Sequence, residues 1–351
     1  MGSGGREDGR GVGILAHRGG AGYAPENTLA AFDRTIRLGT AESVEFDVQR
    51  SSDGVLVVVH DADLHRTTDI EAVYPERSHD TPNRFTVREL KQLDCGSWFS
   101  GGRFAGERMP TLDETLEALT GKVGIRLEIK HPHRHPGVEE DLAEVLRRHA
   151  LTRSDSLLVG SFEWDSVRRF HDILPTVLVE EFTYRPDELQ RFERQRAMPT
   201  IAHRYDVPLR IGDPNSPRTM RAALDDPDRT IITTDYPDVL YRMSRGMPAF
   251  DRETPLVIDD VVIDETDPQV RTAVIRNTST ASVDCGGWYL WNGVATPLAA
   301  PGGLFPAGGT IRVPLLPPRG RNVSWIHTLA LHDPEHRVAG LFEYWAYRPT
   351  A

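Results

Sequence analysis

The chain has 351 residues, with 41 basic and 52 acidic side chains and a net charge of −11. That length suffices for two domains with sizeable cores, and no apolar run reaches the roughly eighteen residues that a membrane-spanning helix needs. The acidic balance argues against nonspecific nucleic-acid binding, which requires basic surface to neutralise phosphates, but it leaves room for a small phosphorylated substrate in a locally positive site.

Residues 1–11 are glycine-rich and charged and read as a flexible tail. They lack the apolar stretch of a secretory signal, so the expectation is a cytoplasmic protein; a secreted one whose signal had been removed would begin the same way. From residue 12 to 245, short β-branched runs alternate with helical patterns. The runs are VGILAH (12–17), SVEFDV (43–48), VLVVVH (55–60), VGIRLEIK (123–130), SLLVGSF (156–162), TVLVEEF (176–182), DVPLRIG (206–212) and TIITTDY (230–236). Helical patterns lie between most of them, over 27–39, 138–150, 164–173 and 216–226. The first begins after Pro25 with an Asn or Thr cap and closes at Gly39, which suits a left-handed terminus. Eight strands with intervening helices predict a (β/α)8 TIM barrel, whose typical size is about 250 residues. Two features depart from the plain pattern. Only SSDG separates the second and third strands, and residues 61–110 form a long Gly- and Arg-rich insertion after the third.

Residues 246–255 read as a linker. Residues 256–351 hold runs such as LVIDDVVID, RTAVIRN and TIRVPLL between glycines and prolines, without a helical pattern. They predict an all-β, immunoglobulin-like sandwich, for which about 100 residues is usual. Cys95 and Cys285 are far apart and read as free thiols, not as a disulfide or metal motif.

In a parallel barrel the reactive groups sit where strands end and loops begin. His17 ends the first strand and His60 the third, at positions that look topologically equivalent. A histidine pair can share acid and base work near neutrality. Glu45 and Asp47 are two residues apart in a strand, so their side chains share a face. Two carboxylates pointing into a barrel repel each other and need a cation, and oxygen ligands select Mg²⁺ or Ca²⁺ over zinc. An isolated E-x-D is better explained by one carboxylate lying outside, paired with an arginine. Glu128 and Lys130 repeat the spacing, so Glu128 can complete a three-carboxylate site and Lys130 offers a compact charge for a phosphate oxygen. Only three residues of the chain are lysine, Lys91, Lys122 and Lys130, against 38 arginines, which favours a specific need for an ammonium at 130. Arg18 suits bidentate phosphate binding, and Gly19 and Gly20 allow close backbone approach to a ligand, although a lone HRGG is better explained as a turn after a strand. His131, His133 and His135 alternate with prolines and an arginine and read as a solvated loop, and His203 echoes the first histidine only faintly.

Taken together, the chain resembles the glycerophosphodiester phosphodiesterase family. The resemblance is carried by AHRGG (16–20), APENT (24–28), residues 45–69, residues 90–116, RLEIKHP (126–132) and ITTDYPDVL (232–240), in family order across nearly the whole first domain. It implies a (β/α)8 barrel with an insertion after the third strand and hydrolysis of a glycerophosphodiester to sn-glycerol 3-phosphate and an alcohol. It also implies catalytic histidines at His17 and His60, metal ligands at Glu45, Asp47 and Glu128, and phosphate contacts at Arg18 and Lys130. One divalent cation, Ca²⁺ or Mg²⁺, is the implied cofactor. The family's tryptophan-containing run near the seventh strand is replaced here by VPLRIGDPNS. Trp98 and Phe99 are therefore expected either to supply the pocket's aromatic surface or to pack in the core. The C-terminal region loosely resembles lamin-tail-like sandwich modules, through AVIRNTST (273–280), VDCGGWYLWN (283–292), LFPAGGTIRV (304–313) and LALHDPEHRVAG (329–340). Such modules suggest binding of a surface or partner, and Trp288, Trp291, Trp325 and Trp345 are expected mostly in its core. Two other readings stand beside the first. One is a lysophospholipase D or phosphoinositide-type phosphodiesterase, which calls for an apolar rim. The other is an inactive barrel used for binding or tethering, against which the presence of all five central residues argues.

Overall fold

The computed structural model describes residues 12–99, 102–182, 214–226, 231–250, 254–263, 270–292, 295–299, 303–316, 326–334 and 337–345. The first seven strands are β1 (Gly13–Ala16), β2 (Ser43–Arg50), β3 (Leu56–Val58), β4 (Gly124–Ile129), β5 (Leu157–Ser161), β6 (Leu178–Glu181) and β7 (Ile231–Thr234). Six of these form a parallel path in the order β6-β5-β4-β2-β1-β7. The helices are α1 (Leu29–Leu38), α2 (Ile70–Val73), α3 (Val87–Leu90), α4 (Leu112–Leu119), α5 (Val138–Arg148), α6 (Trp164–Ile173), α7 (Pro217–Leu224) and α8 (Pro237–Ser244). The expected strand at 206–212 lies outside the described residues, as does His203.

The period of two sets the two faces of the sheet. Val44, Phe46 and Val48 of β2 and Ile125, Leu127 and Ile129 of β4 enter one buried core with Phe32 of α1, Leu116 of α4, Leu142 of α5 and Phe170 of α6. The alternate residues, Glu45, Asp47, Glu128 and Lys130, are therefore turned to the other side of the sheet, where they are also buried. Helix α1 begins as its sequence predicts. The Thr28 hydroxyl accepts the Ala31 N–H at 3.3 Å, and Gly39 closes the helix at φ 61°.

One strand differs from its expectation. The run 55–60 is not a parallel barrel strand; β3 is three residues long and pairs antiparallel with β2, Val48 opposite Val58. SSDG is too short for the crossover that a parallel strand would need and makes a tight turn instead, with Gly54 at φ 86° and the Ser51 N–H on the Val55 carbonyl at 2.9 Å. His17 and His60 are thus not topologically equivalent. His17 leaves the top of a parallel strand, whereas His60 arrives from the opposite direction. The insertion then builds a small core of its own from Leu64, Ile70, Phe85, Leu90, Leu93 and Met109.

The C-terminal strands are β8 (Leu256–Ile263), β9 (Arg271–Asn277), β10 (Val283–Asp284), β11 (Tyr289–Trp291), β12 (Ala295–Pro297), β13 (Leu304–Phe305), β14 (Thr310–Leu315), β15 (Ile326–His332) and β16 (Val338–Trp345). They form antiparallel sheets β14-β9-β8, β12-β11-β15-β16 and β10-β13, with no helix among the described residues. Ile275, Trp288, Leu290, Phe305, Leu329 and Leu331 share their core, so Trp288 has the structural place expected of it; Trp325 lies outside the described residues. Among the described residues no helix is long and apolar enough to cross a membrane.

Candidate active site

Glu45, Asp47 and Glu128 come together because β2 and β4 are parallel neighbours in a register that sets Asp47 beside Glu128. Each offers a carboxylate oxygen within 4.8 Å of the others, and all three are buried. Burial, then the charge of Asp47, pushes the Glu45 carboxyl up to about 8. Burial also raises Glu128, to about 7, against the pull of Lys130. Asp47 goes the other way: burial alone would raise it, but the charges of Lys130, His60 and Arg18 and a hydrogen bond from Asn27 hold it below the usual carboxylate range.

Lys130 reaches the cluster from the end of β4, its Nζ 2.7 Å from Glu128 Oε1 and 3.4 Å from Asp47 Oδ1. The longer contact is not aligned as a hydrogen bond, and Asp47 Oδ1 is a buried oxygen without a donor. A cation fits here on three counts: three buried oxygen donors in reach of one centre, two carboxyls that burial and then the neighbouring charge of Asp47 raise, and one acceptor with nothing donated to it. The all-oxygen donor set suits a hard ion.

The turn 17–20 carries His17 and Arg18 over this cluster. Arg18 adopts φ 48° and ψ 35°, a left-handed conformation that costs a non-glycine residue energy. It is held there by its own N–H on Glu45 Oε2 at 2.8 Å and by the Asn27 N–H on its carbonyl at 2.9 Å. Gly19 and Gly20 belong to the turn that follows β1, at φ 87° and 84°. A Cβ at Gly19 would lie 2.8 Å from the Phe32 ring, and one at Gly20 would lie 2.8 Å from Thr35 Oγ1. Both allow the turn to pack on α1. Asn27 in turn donates to Asp47 Oδ2 at 2.8 Å and accepts the Asp47 N–H at 3.2 Å.

Each histidine is tied to a carboxylate. His17 Nδ1 lies 2.8 Å from Asp235 Oδ1, just past the end of β7, and Asp235 Oδ2 accepts from Asn215 Nδ2 at 2.6 Å. His60 Nδ1 lies 2.7 Å from Asp61 Oδ1. Because a carboxylate only accepts, Nδ1 must carry the proton in both rings, which makes Nε2 the nitrogen able to gain or lose one. Burial and the nearby Arg18 charge lower the pKa of His60. Gln49 holds the returning chain by donating to the carbonyls of Val59, His60 and Asp61 at 3.1, 3.2 and 2.7 Å. A half-buried ionic chain joins the two sides. Arg18 Nη1 donates to Glu26 at 2.8 Å, Arg66 donates to Glu26 at 2.6 and 2.7 Å, and Arg66 Nε donates to Asp61 at 2.6 Å.

All seven residues singled out in the sequence therefore belong to one constellation. Sequence reasoning did not assign Glu26, Asn27, Asp61, Arg66, Asn215 or Asp235. Their signal was positional, since all but Asn215 fall within the stretches that carry the family resemblance. Trp98 and Phe99 pack rather than line the site: Phe99 is buried with its ring 4.6 Å from that of Trp291, and Trp98 lies 6.3 Å from the same ring. The histidine loop is less solvated than expected, because His135 is 2% exposed.

Residues 17–207 match the glycerophosphoryl diester phosphodiesterase family, more than half of the chain. The chain belongs to that family. It is similar to the glycerophosphodiester phosphodiesterase of Bacillus subtilis, 29% identical over 269 residues, 66% of this chain and 86% of that protein. A Caldanaerobacter subterraneus glycerophosphodiester phosphodiesterase is 38% identical over 164 residues, 46% of this chain. That match spans 63% of the relative's own length. A solved Agrobacterium tumefaciens protein assigned as a glycerophosphoryl diester phosphodiesterase superimposes with a TM-score of 0.55 at 23% identity, over 68% of this chain and 98% of that one. This last likeness concerns the fold.

Proposed function

We propose that the chain hydrolyses glycerophosphodiesters to sn-glycerol 3-phosphate and an alcohol, with one divalent cation, Ca²⁺ or Mg²⁺, held by Glu45, Asp47 and Glu128. The observation that carries this reading is the buried three-carboxylate cluster flanked by two histidines, each fixed by its own aspartate. Family membership supplies the substrate class. In the same reading the parallel path closes into a TIM-type barrel over residues 12–245, with β3 paired outside that path, and residues 256–351 form a lamin-tail-like sandwich beyond a linker at 246–255.

A bound cation supplies charge withdrawal from the phosphoryl oxygens and a lower pKa for the attacking hydroxyl. The chain's own groups do the rest. Arg18 and Lys130 hold phosphate oxygens. Nε2 of one histidine takes the proton of the glycerol 2-hydroxyl as its oxygen bonds to phosphorus. The bond from phosphorus to the alcohol oxygen breaks, and Nε2 of the other histidine gives that oxygen a proton. A cyclic glycerol phosphate results, and water opens it with the two histidines in exchanged roles.

The test is release of glycerol 3-phosphate from glycerophosphocholine by the purified protein, with Ca²⁺, with Mg²⁺ and with EDTA. Activity is expected with a divalent ion and not with EDTA, and His17→Ala and His60→Ala should each cost about a hundredfold or more. No product with any divalent ion refutes the proposed activity, and near-normal turnover in either variant removes that histidine from the chemistry.

A further inference from the structure

The sheet β12-β11-β15-β16 is buried on both faces. Leu290, Leu329 and Leu331 point into the core of the C-terminal strands. Tyr289, Trp291, Ala330 and Leu341 point the other way and are buried too, at 8, 6, 0 and 9% exposure. The pairing agrees, with Trp291 opposite Ala330 and Ala330 opposite Leu341. An antiparallel sheet with one free face exposes polar residues there; on this sheet's second face even His332 is buried, its ring stacked on that of Tyr289 at 4.7 Å. Its second face shares a continuous core with Phe99 of the insertion, Ile14 of β1, Ile232 of β7, and Tyr236 and Leu240 at the start of α8.

That contact bears on the residues around His17. Tyr236 follows Asp235, the carboxylate on His17 Nδ1. Its ring stands edge-on to Tyr23, with centroids 5.4 Å apart, and lies so close over Gly22 that a Cβ there would be 2.3 Å away. The Gly22 N–H donates to the Asp235 carbonyl at 3.2 Å. Tyr236 thus presses the turn that carries His17 and Arg18, and it shares its buried core with Tyr289 and Trp291 of β11.

We propose that this sheet braces the catalytic turn, with Tyr289 and Trp291 as positioning residues that act on His17 through Tyr236 and Asp235. The proposal rests on the reading of His17 as catalytic. It gives the C-terminal strands a role in turnover and commits their second buried face to the chain itself, leaving it closed to any partner.

The test uses the full chain with glycerophosphocholine and a divalent ion. Trp291→Ala is expected to lower kcat about tenfold or more, since small misplacements far from the chemistry are costly. Trp291→Phe should stay within about threefold of the parent, and so should Val313→Ala, which loosens only the other core. A role confined to stability would not separate these variants at a temperature where all are folded. Hydrogen exchange should quicken over residues 14–23 and 231–240 in Trp291→Ala and stay unchanged over 124–129 and 157–161. A folded Trp291→Ala with parental kcat and parental exchange at 14–23 overturns the brace. If Trp291→Ala does not fold, urea titration of the unaltered protein decides. Loss of protection in β1 and β7 together with the antiparallel sheets supports the brace; sheets that melt while β1 and β7 stay protected overturn it. An unaltered protein without activity sinks the catalytic reading alone, and the exchange data still judge the brace.

Discussion

Replacing Asp235 by asparagine isolates the hydrogen bond that orients His17. In the native arrangement the carboxylate faces two donors, His17 Nδ1–H at 2.8 Å and Asn215 Nδ2–H at 2.6 Å. An amide of the same shape has one oxygen and one NH₂, so one of those donors must meet another donor. If the oxygen turns to Asn215, His17 is driven to the opposite tautomer and its Nε2 can no longer take a proton. Losing a hydrogen bond to a charged group costs about 1.5–3 kcal/mol, which at 1.36 kcal/mol per decade corresponds to a fall of about 10- to 150-fold in kcat. The reverse exchange offers a rescue. In Asp235→Asn combined with Asn215→Asp, the new carboxylate at 215 accepts the new amide NH₂ and keeps the bonds that Asn215 Oδ1 now accepts from the residue 235 N–H and the Thr234 hydroxyl, at 2.8 and 2.9 Å. The amide oxygen is then left for His17. The pair should recover about tenfold over the single variant in glycerol 3-phosphate release. A single variant within about threefold of the parent would refute the orienting role.

The carboxylate cluster predicts a pH dependence of stability. A carboxyl whose folded pKa lies above its ordinary 4.5, as in Glu45 at about 8 and Glu128 at about 7, contributes stability below 4.5 and loses it as pH rises through the folded value. In EDTA the melting temperature should therefore fall between about pH 5 and pH 8.5, and added Ca²⁺ should raise it more at the upper end; a flat profile contradicts the raised, buried carboxyls of the cluster. Lys130→Arg should lower kcat/KM about tenfold, because a planar guanidinium cannot replace a compact ammonium 2.7 Å from Glu128. Parental activity in that variant would show that any cation serves.

Much of the site was legible in sequence because its rules are local. The spacing of Glu45 and Asp47, and of Glu128 and Lys130, sets a shared face through the strand period, and the structure buries both pairs as that period requires. The Thr28 cap and Gly39 terminus of α1 follow from turn chemistry of the same short range. The direction of β3 was misread although its cause was in plain view: SSDG can make a hairpin turn but not a parallel crossover. A run of apolar residues records that a strand forms, not which neighbour it pairs with. The roles of Gly19 and Gly20 depended on where α1 would pass.

By itself, then, the sequence determined which residue types stand at strand ends and which share a face, and through its ordered motifs it determined the family. The tertiary structure alone decided their partners. His17 and Asp235 are 218 positions apart in the chain, and Glu26 and Arg66 are 40 apart. No local pattern encodes such pairs. They exist because β7 hydrogen-bonds along β1 and so brings the aspartate beyond its end to the histidine beyond the other. The apolar second face of β11 is of the same kind. In sequence YLW is a buried strand, and only packing assigns its leucine to one core and its two aromatics to another.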